Sequence, residues 1–151
     1  MHNHKITILL IEDNQADARL TVEALKDSGV PNELKVITDG EAALEYLRHV
    51  GDEAPEKLPD IILMDLNLPR IDGRQLLSIV KKDRKLKNIP IIVLTTSSAE
   101  KDIILAYDAH CNCYLTKPVD FEKFAELIDM VKSFWLSVVR LPRFAGHVSV
   151  I

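Results

Sequence analysis

Three acidic residues, a set of hydroxyls and one lysine stand directly after short apolar runs. Glu12 and Asp13 follow Ile6–Ile11, and Asp65 follows Ile61–Met64. Thr95, Thr96, Ser97 and Ser98 follow the run 91–94, while Thr116, Lys117 and Pro118 follow the run 112–115. If these runs are strands of one sheet, their ends bring the polar groups together. Three crowded carboxylates raise one another's pKa and resist ionising. A hard divalent cation relieves that, and Mg2+ favours a few carboxylates, a carbonyl and waters in octahedral array. One such cation and one lysine neutralise the three carboxylates. A dianionic phosphoryl group can then replace waters on the metal and meet Lys117 and the Thr95 hydroxyl. An aspartate carboxylate is itself a phosphoryl nucleophile, and in-line transfer needs mainly positioning and charge neutralisation.

Each fragment alone has a blander explanation. An acidic pair or a hydroxyl after a strand usually starts a helix, and most lysines are simply solvated. The ordered set, with every member at the end of an apolar run, is what points to a site.

The elements that must position it are legible in the same pattern. Runs at 6–11, 34–37, 61–64, 91–94 and 112–115 are short and rich in branched residues. The first, third and fourth are nearly continuous, as in parallel strands buried on both faces. Helix-period segments lie between them at 16–28, 41–50, 74–84 and 99–107, with Gly29 placed to cap the first. Asp120 can cap a last helix whose stripe is Phe124, Leu127, Ile128, Val131, Phe134, Trp135 and Val138. The alternation predicts an α/β fold, a doubly wound flavodoxin-like (βα)5 sandwich with a parallel five-stranded sheet in order 2-1-3-4-5. In such a sheet the functional crevice lies beyond the carboxyl ends of the strands. The segment 51–59, polar with two prolines, reads as a surface loop. Pro142 reads as the stop of the last helix.

With 151 residues the chain fits one domain, and no internal repeat or second domain is visible. The net charge of −4 argues against a direct nucleic-acid surface and against a polybasic membrane anchor. No signal peptide and no apolar stretch long enough to span a bilayer are found. Cys111 and Cys113, two apart, would point to opposite faces of one strand and cannot pair, which suits reduced thiols in the cytoplasm. Two cysteines and scattered histidines do not make a zinc site. No GxxxxGK[ST] or GxGxxG motif is present for nucleotide binding.

The residues resemble the receiver domain of two-component response regulators over about 5–139. The carriers are Glu12-Asp13 in IEDN, Asp65 in LMDLNLPRIDG, Thr95 in IPIIVLTTSS, Tyr114 in CYLTKP, and Lys117 before Pro118. The resemblance implies that Asp65 is the phosphoacceptor. It implies Mg2+, with Mn2+ or Ca2+ as substitutes, held by Asp13, Asp65 and the Asn67 backbone carbonyl, with Glu12 acting through water. Lys117 would pair with the phosphoryl group, Thr95 would be the switch hydroxyl, and Tyr114 the aromatic that follows it. Gly73 fits the turn into the third helix, and Pro118 suggests a cis Lys117–Pro118 bond.

A closer similarity is to single-domain regulators paired with cyanobacterial phytochromes, through DLNLPRIDGRQLL, IPIIVLTTSSAEKDI, CYLTKPVDFEKF and FWLSVVRLP. The implied partner is a histidine kinase, a phytochrome. The alternatives are a non-phytochrome kinase or an intermediate place in a phosphorelay. The expected product is a signalling protein rather than an enzyme with its own metabolite, acting through the face of helix 4, strand 5 and helix 5. An aspartyl-phosphate phosphatase of the haloacid dehalogenase type typically shows Asp-X-Asp after the first strand. Here Asp65-Leu66-Asn67 follows the third.

The expected organisation is a receiver at 1–139 including an extended fifth helix, and a tail at 140–151 without a separate output domain. Seven of eight aromatics lie at or after Tyr107. Phe134 and Trp135 either pack on the domain itself or build a homodimer face with helix 4, strand 5, helix 5 and the tail; the dimer is the favoured expectation.

Overall fold

The computed structural model describes residues 5–26 and 31–142. Five strands, β1 (Ile6–Ile11), β2 (Asn32–Ile37), β3 (Ile61–Met64), β4 (Ile91–Thr95) and β5 (Cys113–Thr116), alternate with five helices. The helices are α1 (Gln15–Lys26), α2 (Gly40–Glu53), α3 (Gly73–Lys82), α4 (Glu100–Asp108) and α5 (Phe121–Ser133). All pairings are parallel and the order is β2-β1-β3-β4-β5, as expected.

The sheet separates two apolar layers because side chains alternate along each strand. Leu9 and Ile11 of β1 face α2, α3 and α4, joining Leu47, Leu77, Val80 and Ala106. Ile6, Ile8 and Leu10 face α1 and α5, joining Leu25, Phe124 and Ile128. Both faces being covered, β3 and β4 are buried at every position, which is why their sequences are unbroken apolar runs. Cys111 is buried in the first layer and Cys113 packs against the second; both are free thiols, as expected from their spacing.

The helix starts are set locally. Asp39, Asp72 and Asp120 each cap a helix by accepting a backbone N–H in its first turn. Gly29, expected to cap α1, and residues 143–151 lie outside the described residues.

Several expectations are corrected. The segment 51–59 is no open loop: α2 continues to Glu53, a 3-10 turn covers Pro55–Lys57, and Gly51 and Leu58 are buried. The α2 stripe simply outlasts its apolar sequence signal. The Lys117–Pro118 bond is trans, the form favoured for X–Pro by about 0.5–1 kcal/mol. Beyond α5 the chain makes a π turn over Phe134–Val138, closed by Val139 N–H donating to the Phe134 carbonyl. The wider turn shifts the helix phase. Leu136 is buried instead of Phe134 and Val138, which are exposed, while Trp135 is partly buried against the second layer and meets Phe134 edge-on at 5.8 Å. The helical turn closes at Val138, ahead of Pro142.

The loop from β3 to α3 is clamped by two glycines. Gly73 N–H donates to the Leu66 carbonyl at 2.8 Å, and a Cβ on Gly73 would stand 2.4 Å from the Asp65 carbonyl oxygen. Gly40 N–H donates to the Pro69 carbonyl, and a Cβ there would meet the Ile71 backbone. Backbone cannot yield as a flexible side chain can. Gly73→Ala is therefore expected to destabilise the fold by about 2–3 kcal/mol, within the range for overpacking. Urea unfolding checks this; an unchanged midpoint would show that the loop has slack.

Candidate functional site

The register brings the polar strand ends together. Ile11 of β1 stands opposite Met64 of β3, and Asp65 N–H donates to the Ile11 carbonyl. Glu12, Asp13 and Asp65 thus leave adjacent strands at the point where the strand order reverses. Thr95 pairs with Thr116, and Lys117 N–H donates to the Thr95 carbonyl at 2.7 Å.

Lys117 reaches under this edge. Its ammonium donates to Glu12 Oε1 at 2.6 Å, to Asp17 Oδ2 at 2.9 Å and to Asp65 Oδ2 at 2.9 Å. Asp65 Oδ1 accepts from Thr95 Oγ1 at 2.7 Å and from Asn67 N–H at 3.1 Å. Glu12 Oε2 accepts from Asn14 N–H. Glu12, Asp65, Thr95 and Lys117 are all buried. Asp13 and Asn67 are exposed, and neither the Asp13 carboxylate nor the Asn67 carbonyl takes a hydrogen bond from the described residues.

The electrostatics follow from burial and this knot. Burial pushes the Glu12 carboxyl up to about 7, against the pull of Lys117. Burial also pushes Asp65 upward, but the bonds from Lys117, Thr95 and Asn67 together outweigh it and hold Asp65 below its usual range. Burial disfavours the Lys117 charge, yet Glu12, Asp65 and Asp17 more than compensate and hold it above its usual value.

A second network runs outward from the same edge. Arg74 of α3 grips Asp102 of α4 in a two-pronged bond, Nε at 2.8 Å and Nη2 at 2.9 Å, and also holds Asp72. Ser97 Oγ donates to Asp102 Oδ2 at 2.6 Å, and the Tyr114 hydroxyl donates to the Ser97 carbonyl at 2.9 Å. The Arg74 guanidinium and the Ser97 hydroxyl hold the Asp102 carboxyl far below its ordinary range. Tyr114 sits partly buried against the first apolar layer.

All the residues singled out from sequence thus lie at one sheet edge or beside it. The sequence reading missed Asp17, Arg74 and Asp102. Asp17 lies four residues past Asp13, a spacing that could have flagged it. Its place in the first turn of α1 already explains an acid. Nothing local announces the Arg74–Asp102 pair.

The sequence profile of the response regulator receiver domain matches residues 8–129. The chain belongs to that family. Response regulator Rcp1 of Synechocystis sp. is 45% identical over 135 residues, covering 89% of this chain and 92% of Rcp1. The crystal structure of the Mn(2+)-bound form of Rcp1 superposes with a TM-score of 0.86, covering 91% of this chain and 99% of that one. The structure of the phosphorylated cyanobacterial phytochrome response regulator RcpA gives 0.87 at 46% identity, covering 92% and 99%. The probable methanogenesis regulatory protein FilR2 of Methanothrix harundinacea is 42% identical over 136 residues, covering 89% of this chain and 86% of FilR2. The chain is therefore a two-component signalling receiver, homologous to the phytochrome response regulator RcpA and to Rcp1. Among the described residues, no helix is long and apolar enough to cross a membrane.

The knot also has a stability signature. Removing the ammonium by Lys117→Met leaves Glu12, Asp17 and Asp65 facing one another. At pH 7 without divalent cation the expected loss is about 3 kcal/mol, the scale for a broken buried pair. Near pH 4 the variant's carboxylates take up protons. The wild type gains less over the same range: Glu12 takes up a proton as pH falls through about 7, whereas depressed Asp65 keeps its charge and its stabilisation is lost only as pH falls further, toward its folded pKa. The gap should shrink. Urea unfolding at both pH values decides it; an equal loss at each would assign the effect to packing.

Proposed function

We propose that this receiver accepts a phosphoryl group on Asp65 from a histidine kinase, with a phytochrome as the kinase. One observation carries the site: the Asp65 carboxylate receives both the Thr95 hydroxyl and the Lys117 ammonium. A phosphohistidine presented over the strand ends loses its N–P bond as an Asp65 oxygen forms the new O–P bond. The product is an acyl phosphate and the imidazole leaves. Lys117 and the Thr95 hydroxyl meet the phosphoryl oxygens.

The residues fit a divalent cation. The Asp13 carboxylate, after β1, and the Asn67 carbonyl, two residues past Asp65 after β3, are oxygen donors without partners among the described residues. Among the described residues no cluster of three His, Cys, Asp or Glu side chains has metal-holding geometry. That is compatible with a hard ion that takes two carboxylates, a carbonyl and waters. Asp13, Asp65 and the Asn67 carbonyl would hold Mg2+, or Mn2+ or Ca2+ in its place, with Glu12 acting through water. When bound, the ion supplies charge neutralisation for the incoming phosphoryl group. The Mn(2+)-bound Rcp1 structure supports the choice of a divalent ion.

Thr95 and Tyr114 form the switch. Thr95 is bonded to Asp65, while Tyr114 is tied through Ser97 to Asp102 at the start of α4. A change at Asp65 is thereby felt by the α4–β5–α5 face. The same Asp65 site also catalyses loss of its own phosphoryl group to water. The receiver works in the cytoplasm and signals through a homodimer or a target at that face. Exposed Ile104, Leu105 and Tyr107 on α4, with Met130, Phe134 and Val138 along α5 and its π turn, support an apolar contact.

Similarity to the phytochrome regulator RcpA favours the phytochrome; similarity to the probable methanogenesis regulatory protein FilR2 favours a different kinase as the second reading. Phosphotransfer from a panel of labelled histidine kinases, with Asp65→Asn as control, separates them. Rapid Mg2+-dependent labelling from the phytochrome kinase, abolished by Asp65→Asn, is expected. Labelling of equal yield in Asp65→Asn would overturn the acceptor assignment. Sedimentation checks the assembly: Ile104→Asp with Phe134→Asp is expected to turn a dimer into a monomer, and an unchanged dimer would move the interface elsewhere.

A further inference from the structure

A lysine ammonium has three N–H donors. In this structure Glu12, Asp17 and Asp65 each take one. Any further anion that Lys117 is to bind must displace one of them. The three are unequal. The Glu12 side chain is 4% exposed, and its other oxygen is held by Asn14 N–H. Releasing it would leave its buried Oε1 without a partner. Asp65 is 8% exposed and carries the reaction. The Asp17 side chain is 25% exposed, so its carboxylate can pass to water. Its backbone stays anchored in the first turn of α1 either way. Asp17 N–H donates to Asn14 Oδ1, and Thr21 Oγ1 donates to the Asp17 carbonyl.

We propose that Asp17 is a positioning residue for phosphoryl transfer: its carboxylate holds the Lys117 donor that the phosphoryl group needs, and yields it when that group arrives. This rests on the reading of Asp65 as phosphoacceptor. Asp17 keeps the ammonium fully paired and aimed at Asp65 before transfer, with no rearrangement of the buried Glu12. The same contact opposes the bound anion, because the anion must break it. A charge-assisted hydrogen bond stands between the two states, which sets the scale of the effect.

The test is a titration of the full chain with beryllofluoride at saturating Mg2+, followed by the backbone amide signals around Asp65. Asp17→Asn and Asp17→Ala are expected to bind about five- to tenfold more tightly than wild type. Asp17→Glu, which keeps the charge, is expected to return toward the wild-type affinity. The gain should persist from 50 mM to 500 mM KCl, since displacement of a direct contact is not a long-range field that salt screens. A merely structural role for Asp17 would weaken binding or leave it unchanged. Either result, or a gain that vanishes at high salt, overturns the proposal. If wild type binds and Asp65→Asn does not, while the Asp17 variants match wild type, only the role of Asp17 falls. If wild type itself does not bind, the reading of Asp65 falls and this inference with it.

Discussion

A buried lysine charge is tolerated only where anions surround it, and the carboxyl edge of this sheet is built around that requirement. Lys117 leaves β5 at the edge of the sheet, whereas Asp65 leaves β3 and Glu12 leaves β1. With strands about 4.8 Å apart, the lysine must reach across two strands to Asp65 and three to Glu12. A long stem from one side and a glutamate from the other close that gap. The shorter Asp65 lies between them, and Asp17 enters from the helix above. Burial alone would drive these charges apart in protonation state. Their mutual bonds hold Asp65 below its usual range, while Glu12, the most buried of the three acids bonded to Lys117, is pushed up to about 7.

The rest of the architecture keeps that knot in register. β3 and β4 are buried on both faces, so slippage by one residue would exchange the side chains fitted into the two layers and move Asp65 or Thr95 off the edge. The loop after β3 is held where Gly40 and Gly73 approach its backbone more closely than any Cβ allows. From the same loop Asn67 N–H supports Asp65, and from the helix beyond it Arg74 reaches Asp102. Beside the site, Ser97 joins α4 to β5 by short polar contacts, bonding Asp102 through its hydroxyl and Tyr114 through its carbonyl.

The C-terminal region shows where periodicity misleads. A strict 3.6-residue stripe through α5 puts Phe134 and Val138 on the core side with Trp135. The π turn inserts a wider step, and the core takes Leu136 and then Leu141. Phe134 and Val138 become exposed apolar residues, which is what makes the α5 surface suited to contact. Similarly, 51–59 reads as a loop by composition, yet Gly51 and Leu58 are packed inside because α2 runs on and folds back in a 3-10 turn.

The strand runs, their alternation with helices, the sheet order and the convergence of Glu12, Asp13, Asp65, Thr95 and Lys117 follow from the amino-acid sequence by itself. These depend on local patterns: branched runs that must be buried, capping aspartates, and polar residues falling at strand ends. The tertiary structure alone decided which carboxylates share the Lys117 ammonium, that Arg74 meets Asp102, and which face of the last turns is buried. Those pairings join residues far apart in the chain, Asp17 to Lys117 being 100 positions apart. They are set by sheet order, helix phase and side-chain reach, and a linear pattern of residue types carries no signal of any of the three acting together.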